Sequence, residues 1–388
     1  MKIIANWIDS DATQAVMAML SNAGYHALFV GGCVRNTLLD APVKDIDIAT
    51  DARPEMVMSL ARNGGLKAIP TGLDHGTVTV VSDHLAHEVT TFREDVKTMG
   101  RKAVVAFSND VDKDARRRDF TMNALYADRS GEVIDPLGGL ADLRARRVRF
   151  IEDAGRRIEG DYLRILRFFR FHAWYGDAAA GMDPEALAAI SDHLDGLEQL
   201  SKERVGSEMM RLLAASDPTP SLAAMKMTGV LTRVLPGADD WAMRPLIHLE
   251  AAHHLPPDAI RRLAALGGED QSARFRLSKA EAKKIDTVQA ETGSDCSAIE
   301  LGYRYGYETG LSILLLRAVF LGGDVDDDEM AALSRGAQSR FPLRAADLMP
   351  ALSGPALGER LRVLEARWLS SGCSLARADL LRDPECND

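Results

Sequence analysis

The sequence predicts an α+β fold, a mixed head of strands and helices over residues 1–139 followed by an all-helical remainder. Three observations predict it. Short segments rich in β-branched residues, "YHALFV", "KDIDIAT", "GTVTVVS" and "HEVTTFR", alternate in the manner of half-buried strands. Helical-period segments with proper stops lie between them. Beyond residue 140 the alternation gives way to Ala, Leu and Arg at helical spacing, as in "PEALAAISDHLDGLEQL", "ERVGSEMMRLLAA" and "KAEAKKIDTVQAETG".

Taken in order, residues 11–23 read as a helix with an Asp-x-x-Gln start and Gly24 as its stop. "YHALFV" and "KDIDIAT" follow as strands, then "RPEMVMSLARNGG" as a helix with proline near its start. "GTVTVVS" and "HEVTTFR" are two more strands, and 94–118 reads as an irregular, charged connection. "NALYAD" and "EVIDPLGG" close the head. Breaks at "SDPTPS", "LPPD", "ALGGEDQ" and "LGGDVDDDE" interrupt the helical part, without any fixed-period repeat.

Composition excludes several classes. At 388 residues, 46% hydrophobic and 27% charged, the chain has ample material for a globular core. No apolar run reaches the length of a membrane span and the first residues carry no secretory leader, so a cytoplasmic protein is expected. Cys33, Cys296, Cys373 and Cys386 have neither zinc-site spacing nor the density of a disulfide scaffold, which fits reduced thiols. The net charge of −10 conceals an uneven spread: residues 101–175 carry 16 Lys and Arg against 12 Asp and Glu, a local +4. A local positive surface is all that a phosphate ligand requires.

Asp45 and Asp47 pose the first chemical question. Two apart on a strand, they project to the same face and repel each other. A bare D-x-D is ordinarily an edge strand showing two acids to water, but the context here differs. "GGCVR" follows a strand and precedes an apolar segment, so backbone N–H groups beside Gly32 and the Arg35 guanidinium can approach phosphate oxygens. Phosphate donors beside paired acids imply phosphoryl transfer on Mg²⁺, held by Asp45 and Asp47 and completed by substrate phosphates.

The segment "DYLRILRFFRFHAWY" raises the second. Asp161, Arg164, Arg167 and Arg170 recur every three residues on a helix that is otherwise apolar nearly all round. Arginines on such a buried helix need acceptors; structural salt bridges are the plain alternative to a ligand. Cytosine and adenine both present an exocyclic amine beside a ring-nitrogen acceptor. A carboxylate and a guanidinium, Asp161 and Arg164, match both bases, whereas guanine and uracil present the reverse pattern.

These segments carry a resemblance. "GGCVRNTLLDAPVKDIDIAT" resembles the first motif of the nucleotidyltransferase superfamily that includes DNA polymerase β. More narrowly it is similar to the class II tRNA nucleotidyltransferases (CCA-adding enzymes) and the bacterial poly(A) polymerases. "RRRDFTMNALYAD", "VIDPLGGLADL" and "GDYLRILRFFRF" resemble further motifs of that family, in its order. The resemblance implies a polymerase-β-like head at 1–139, a helical neck at 140–205 that recognises the base, a helical body at 206–320 and a helical tail at 321–388. It implies that Glu88 lies next to the metal-binding pair and that Arg118, Arg167 and Arg170 support the nucleotide. Two departures stand out: Asn36 where the family usually has Asp, and Gly160 where it commonly has Glu. Asn36 keeps a hydrogen-bonding group without the charge, and Glu159 is the neighbour able to stand in at Gly160.

The activity expected is the untemplated addition of C, C and A to the 3′ end of tRNA from CTP and ATP, with tRNA as the macromolecular partner. Poly(A) polymerase is the nearest alternative, but "PTGLDHGTVTV" looks like the CCA side, where the polymerases carry a Gly-Arg-Arg-Phe pattern. A CC- or A-adding specialist is a second. A non-catalytic RNA-binding protein is the remote one, and the intact pair Asp45 and Asp47 speaks against it. A fused metal hydrolase is not expected, since His253 and His254 in "HHLPPDAIRR" read as ordinary helix-end residues. The 94–118 segment, with Gly100 as a pivot, is expected to be the mobile element that lets one pocket accept C and then A; family members that stop at CC lack it.

Overall fold

The computed structural model describes residues 1–99 and 102–382. The chain forms two compact units, one of Met1–Ser201 with Met227–Arg233, the other of Lys202–Lys226 with the chain from Val234 onward.

The first unit begins with α1 (Asn6–Asp9) and α2 (Asp11–Asn22). Gln14 does not cap α2 as its spacing suggests. Ser10 is the N-cap, and the Gln14 amide donates to the carbonyls of Ile8 and Arg129, binding the helix to the rest of the head. Next come β1 (Leu28–Val30), α3 (Gly32–Leu38), β2 (Ile46–Thr50) and α4 (Pro54–Asn63), the last with its proline at the first turn, where a missing N–H costs nothing. Then follow β3 (Lys67–Gly72), β4 (Thr77–Ser82) and β5 (Leu85–Thr91).

With β8 (Tyr126–Ala127) and β9 (Val133–Ile134) these strands make one sheet in the order β3-β4-β5-β2-β1-β8-β9. Among the described residues only β2 and β5 run parallel; the other pairs are antiparallel, so the sheet is mixed as expected. Period-two alternation assigns the faces. Ile46, Ile48, Val78, Val80, His87 and Val89 are buried on the side covered by α2 and α4. Asp47, Glu88, Thr79 and Thr90 share the opposite side.

The charged 94–118 segment differs from the irregular connection expected. It contains an antiparallel ribbon, β6 (Arg93–Met99) with β7 (Lys102–Phe107), then α5 (Val111–Arg116) capped by Asp110. "KAVVAF" supplies the β-branched residues, and its charged partner strand hid the pattern. Gly100, the expected pivot, lies outside the described residues.

After β9 the described elements are helical: α6 (Gly139–Arg144), α7 (Ala154–Gly160) and α8 (Leu163–Tyr175) complete the portion that matters for the site. Leu163, Ile165, Leu166, Phe168, Phe169 and Phe171 of α8 are all buried. Phe168 stacks on Phe150 at 5.5 Å, and Phe120 packs against Phe171 at 4.8 Å. Truncating one such ring to alanine would cost about 3–5 kcal/mol.

In the second unit, Arg261 and Arg262 both pair with buried Glu250, at 2.8 and 2.7 Å, and Arg262 also donates to the carbonyl of Leu213 at 2.7 Å. His253 is a helix C-cap and Asp258 an N-cap, so "HHLPPDAIRR" is a helix-to-helix turn. Leu364, Trp368 and Leu380 anchor a separate cluster near the end of the chain. No helix among the described residues is long and apolar enough to cross a membrane.

Candidate functional site

Asp47 lies on β2 directly opposite Glu88 of β5, and Asp45 is exposed at the lip where β2 begins. Asp47 is half-buried, Glu88 exposed. Burial comes first in raising the Asp47 carboxyl to about 6; Glu88 and Asp45 push the same way, against Arg118 and Arg35. Carboxylates crowded so that one retains its proton are a set that gains from a cation. Their hard oxygens suit a divalent ion that keeps waters and takes substrate phosphates as further ligands. Among the described residues no group of three or more His, Cys, Asp or Glu side chains stands where it could hold a metal. Glu88 extends the acidic face across from Asp47.

The glycine turn opens α3 beside these acids. Gly31 has φ +69°, which favours glycine, and a Cβ there would stand 3.5 Å from Arg118 Nη1 and 3.6 Å from Asn123 Oδ1. A Cβ at Gly32 would meet no atom within 4 Å, so the space before it is open. α3 starts at this turn, and the amides of a helix's first turn have no partner within the helix.

Arg118 is held from behind. Its Nε donates to the Tyr126 hydroxyl at 3.1 Å and its Nη2 to Asp114 at 2.9 Å. Buried Asp114 also accepts from Tyr126 Oη at 2.8 Å, Arg117 Nε at 3.1 Å and the Arg93 amide at 3.2 Å. Burial would raise the Asp114 carboxyl, but Arg118, Arg117 and the Tyr126 hydroxyl hold it down at about 2. The base of the β6–β7 ribbon and Arg118 thus share one carboxylate.

Asp161 differs from its expected place on the arginine helix. It is the extended C-cap of α7, and its carboxylate accepts from the Leu163 amide at 3.1 Å. Arg164, Arg167 and Arg170 do lie on α8. Arg164 donates to the carbonyls of Arg157 at 2.6 Å and Arg117 at 2.9 Å, and a Cβ at Gly160 would stand 3.3 Å from its Nη1. Glu159 does not stand in for the missing Glu in the expected way; it pairs with His193 at 3.4 Å. Arg167 pairs with buried Asp119, and Arg170 lies over the Phe171 ring at 4.8 Å.

Arg35 is not displayed to solvent. It is enclosed by Asn36, Asn123, Tyr175 and Phe171, so a two-pronged grip on phosphate would require breaking those contacts. Sequence reasoning missed Asp114, Asp119, Asn123, Tyr126 and Tyr175. Four of them lie inside or beside "RRRDFTMNALYAD", where the buried acids among arginines were the available signal. Tyr175 had none.

Two family models match the chain: the poly(A) polymerase head domain over residues 27–149, and a probable RNA- and SrmB-binding site of polymerase A over 181–242. The CCA-adding enzyme of Geobacillus stearothermophilus is 35% identical over 326 residues, 79% of this chain and 77% of that protein. The CCA-adding enzyme of Lactobacillus delbrueckii subsp. bulgaricus is 38% identical over 229 residues, 58% of this chain and 56% of that protein. The crystal structure of the Bacillus stearothermophilus CCA-adding enzyme in complex with CTP superposes with a TM-score of 0.77 at 28% identity, covering 95% of this chain and 94% of that one.

Proposed function

The chain belongs to the family of CCA-adding enzymes, and from that membership we propose how its site residues divide the work. The reaction joins C, C and A in turn to the 3′ end of tRNA from CTP and ATP, without a nucleic-acid template, and releases pyrophosphate. The family generally uses divalent metal ions. In this chain we assign Mg²⁺ to Asp45 and Asp47, where the bound ion would polarise the α-phosphate and favour the ionised 3′-hydroxyl.

The protein's own groups do the rest. The first turn of α3 at Gly32 receives triphosphate oxygens, and Arg118 faces them from its Asp114–Tyr126 seat. Arg35 adds positive charge behind the turn. Glu88, across from Asp47, accepts the proton leaving the tRNA hydroxyl. Asp161 accepts from the exocyclic amine of C or A, and Arg164 donates to the neighbouring ring nitrogen. Arg167 and Arg170 hold the far side of the nucleotide. Sparse thiols at Cys33, Cys296 and Cys373 fit a reducing, cytoplasmic setting.

The observation that carries this reading is the Asp47–Glu88 pairing beside the open glycine turn, in the same compact unit as α8. The test supplies tRNA ending at the discriminator base with CTP and ATP, singly and together, and sequences the products. CTP alone should yield CC ends, and both together CCA ends. Long A tracts from ATP alone would instead identify a poly(A) polymerase.

A further inference from the structure

Arg35 is only 6% exposed, and its partners are unusual for a buried guanidinium. Asn36 Oδ1 accepts from its Nε at 3.2 Å and its Nη2 at 2.9 Å. Asn123 Oδ1 accepts from Nη1 at 2.7 Å, and the Tyr175 hydroxyl accepts from Nη2 at 2.9 Å. The Tyr175 ring centre lies 4.0 Å from the guanidinium carbon and that of Phe171 4.9 Å.

A buried guanidinium ordinarily meets a carboxylate, which both orients and neutralises it. Among the described residues Arg35 has no such ion pair; its partners are two amide oxygens, one hydroxyl and two aromatic faces. Position 36 explains why. An asparagine oxygen reproduces part of a carboxylate's geometry and none of its charge, so it orients weakly. A tyrosine supplies what is missing in another form, a face that attracts the cation and an oxygen that fixes its rotation. Tyr175 is also the last residue of α8, the helix that carries Arg164, Arg167 and Arg170.

We propose that Tyr175 is a positioning residue for Arg35, supplying the orientation that a carboxylate at position 36 would give and fixing the guanidinium behind the glycine turn. The contact ties α3, at the phosphate end of the nucleotide, to the C-terminal end of α8, whose start reads the base. The inference rests on assigning the glycine turn to the triphosphate and adds the residue that orients its buried cation.

Three variants test it: Tyr175→Leu, Tyr175→Phe, and Tyr175→Leu combined with Asn36→Asp. KM and kcat are measured for CTP and ATP, alongside inhibition by inorganic tripolyphosphate, which has no base. Addition of C, C and A by the unaltered enzyme is the control, and its failure would overturn the assigned reaction and leave the tether aside. Tyr175→Leu should raise both KM values and weaken tripolyphosphate inhibition by about tenfold, with base choice unchanged, since a face and a hydrogen bond are both lost. Tyr175→Phe, which keeps the ring, should show an effect of about threefold. Asn36→Asp should return the Leu variant to within about threefold of the unaltered enzyme, because a carboxylate again holds Arg35. Unchanged tripolyphosphate inhibition in the Leu variant overturns the proposal, and so does a loss that Asn36→Asp leaves unrepaired, which would make Tyr175 a packing residue only. If the Leu variant does not fold, Tyr175→Phe decides: inhibition equal to that of the unaltered enzyme overturns the proposal.

Discussion

Arg167 reaches one oxygen of Asp119 from two nitrogens, Nε at 2.7 Å and Nη2 at 2.5 Å. The other oxygen of Asp119 accepts from the Phe120 amide at 2.9 Å and from Asn123 Nδ2 at 3.1 Å. Asn123 in turn accepts from Arg35. One buried carboxylate therefore joins α8 to the residues behind the glycine turn.

That junction makes the first unit sensitive to acid. Burial works to raise Asp119, but Arg167, Asn123 and the Phe120 amide hold it at about 2, and Asp114 is likewise at about 2. A carboxylate depressed in the folded state contributes stability above its unfolded value of 3.8 and loses it as pH falls toward 2. Each contributes about 2 kcal/mol by linkage, so the midpoint of urea unfolding should fall steeply between those two pH values. Asp119→Asn should flatten the fall while lowering stability at neutral pH. An unchanged acid slope in that variant would show that other groups set it.

Asp47, proposed as a metal ligand, titrates in the opposite sense. Asp47 is raised to about 6, so below that pH the proton competes for the oxygen a cation needs. Binding of Mn²⁺, followed by its paramagnetic relaxation effect, should weaken by about tenfold per unit below pH 6 and level off above it. Asp45→Ala or Asp47→Ala should abolish nucleotide addition while leaving thermal unfolding and tRNA binding close to those of the unaltered enzyme. Substantial activity in the double variant would exclude both as metal ligands.

Much of this was legible in the sequence because it obeys short periods. Asp45 and Asp47 were found by spacing of two, and α8 by its buried apolar positions among arginines. Asp161 was read onto that helix because its spacing of three to Arg164 fits helical geometry. The chain is extended there, however, and Asp161 caps one helix before the next begins. What stayed hidden depends on distance along the chain. Arg35 meets Asn123 and Tyr175 at separations of 88 and 140 residues, which no local pattern encodes. Its burial reversed the expectation of an arginine offered directly to phosphate.

Gly160 should matter through Arg164. The guanidinium is held by two backbone carbonyls, and an added methyl group at 160 would press on Nη1 from 3.3 Å. Gly160→Ala should thus displace the donor proposed for the ring nitrogen, raising incorporation of UTP relative to CTP by roughly fivefold, a modest hydrogen-bond misalignment. Arg164→Ala should raise it further. Affinity falling equally for all four nucleotides, with selectivity unchanged, would make Arg164 a phosphate or structural residue.

The β6–β7 ribbon is expected to govern the change from C to A. A pocket that accepts cytosine twice and then adenine must enlarge, and the contacts proposed for Asp161 and Arg164 suit both bases, so they cannot by themselves impose the order. An adjustable neighbour is needed, anchored at one end and yielding at the other. The ribbon's base is anchored: the Ser108 amide donates to the Phe92 carbonyl at 2.8 Å, Arg93 Nη1 to the His75 carbonyl at 2.6 Å, and Lys113 pairs with Glu94 at 2.6 Å. Asp114 receives the Arg93 amide and holds Arg118 as well, so one side chain links the ribbon's base to an arginine proposed to support the nucleotide. Shortening the chain between Lys97 and Ala106 leaves that base in place. It should preserve addition of both cytidines and remove addition of the terminal adenosine, read as tRNA that accumulates with CC ends in the presence of both nucleotides. Completion of CCA at the rate of the full chain would show that the ribbon is a connector and that the switch lies elsewhere.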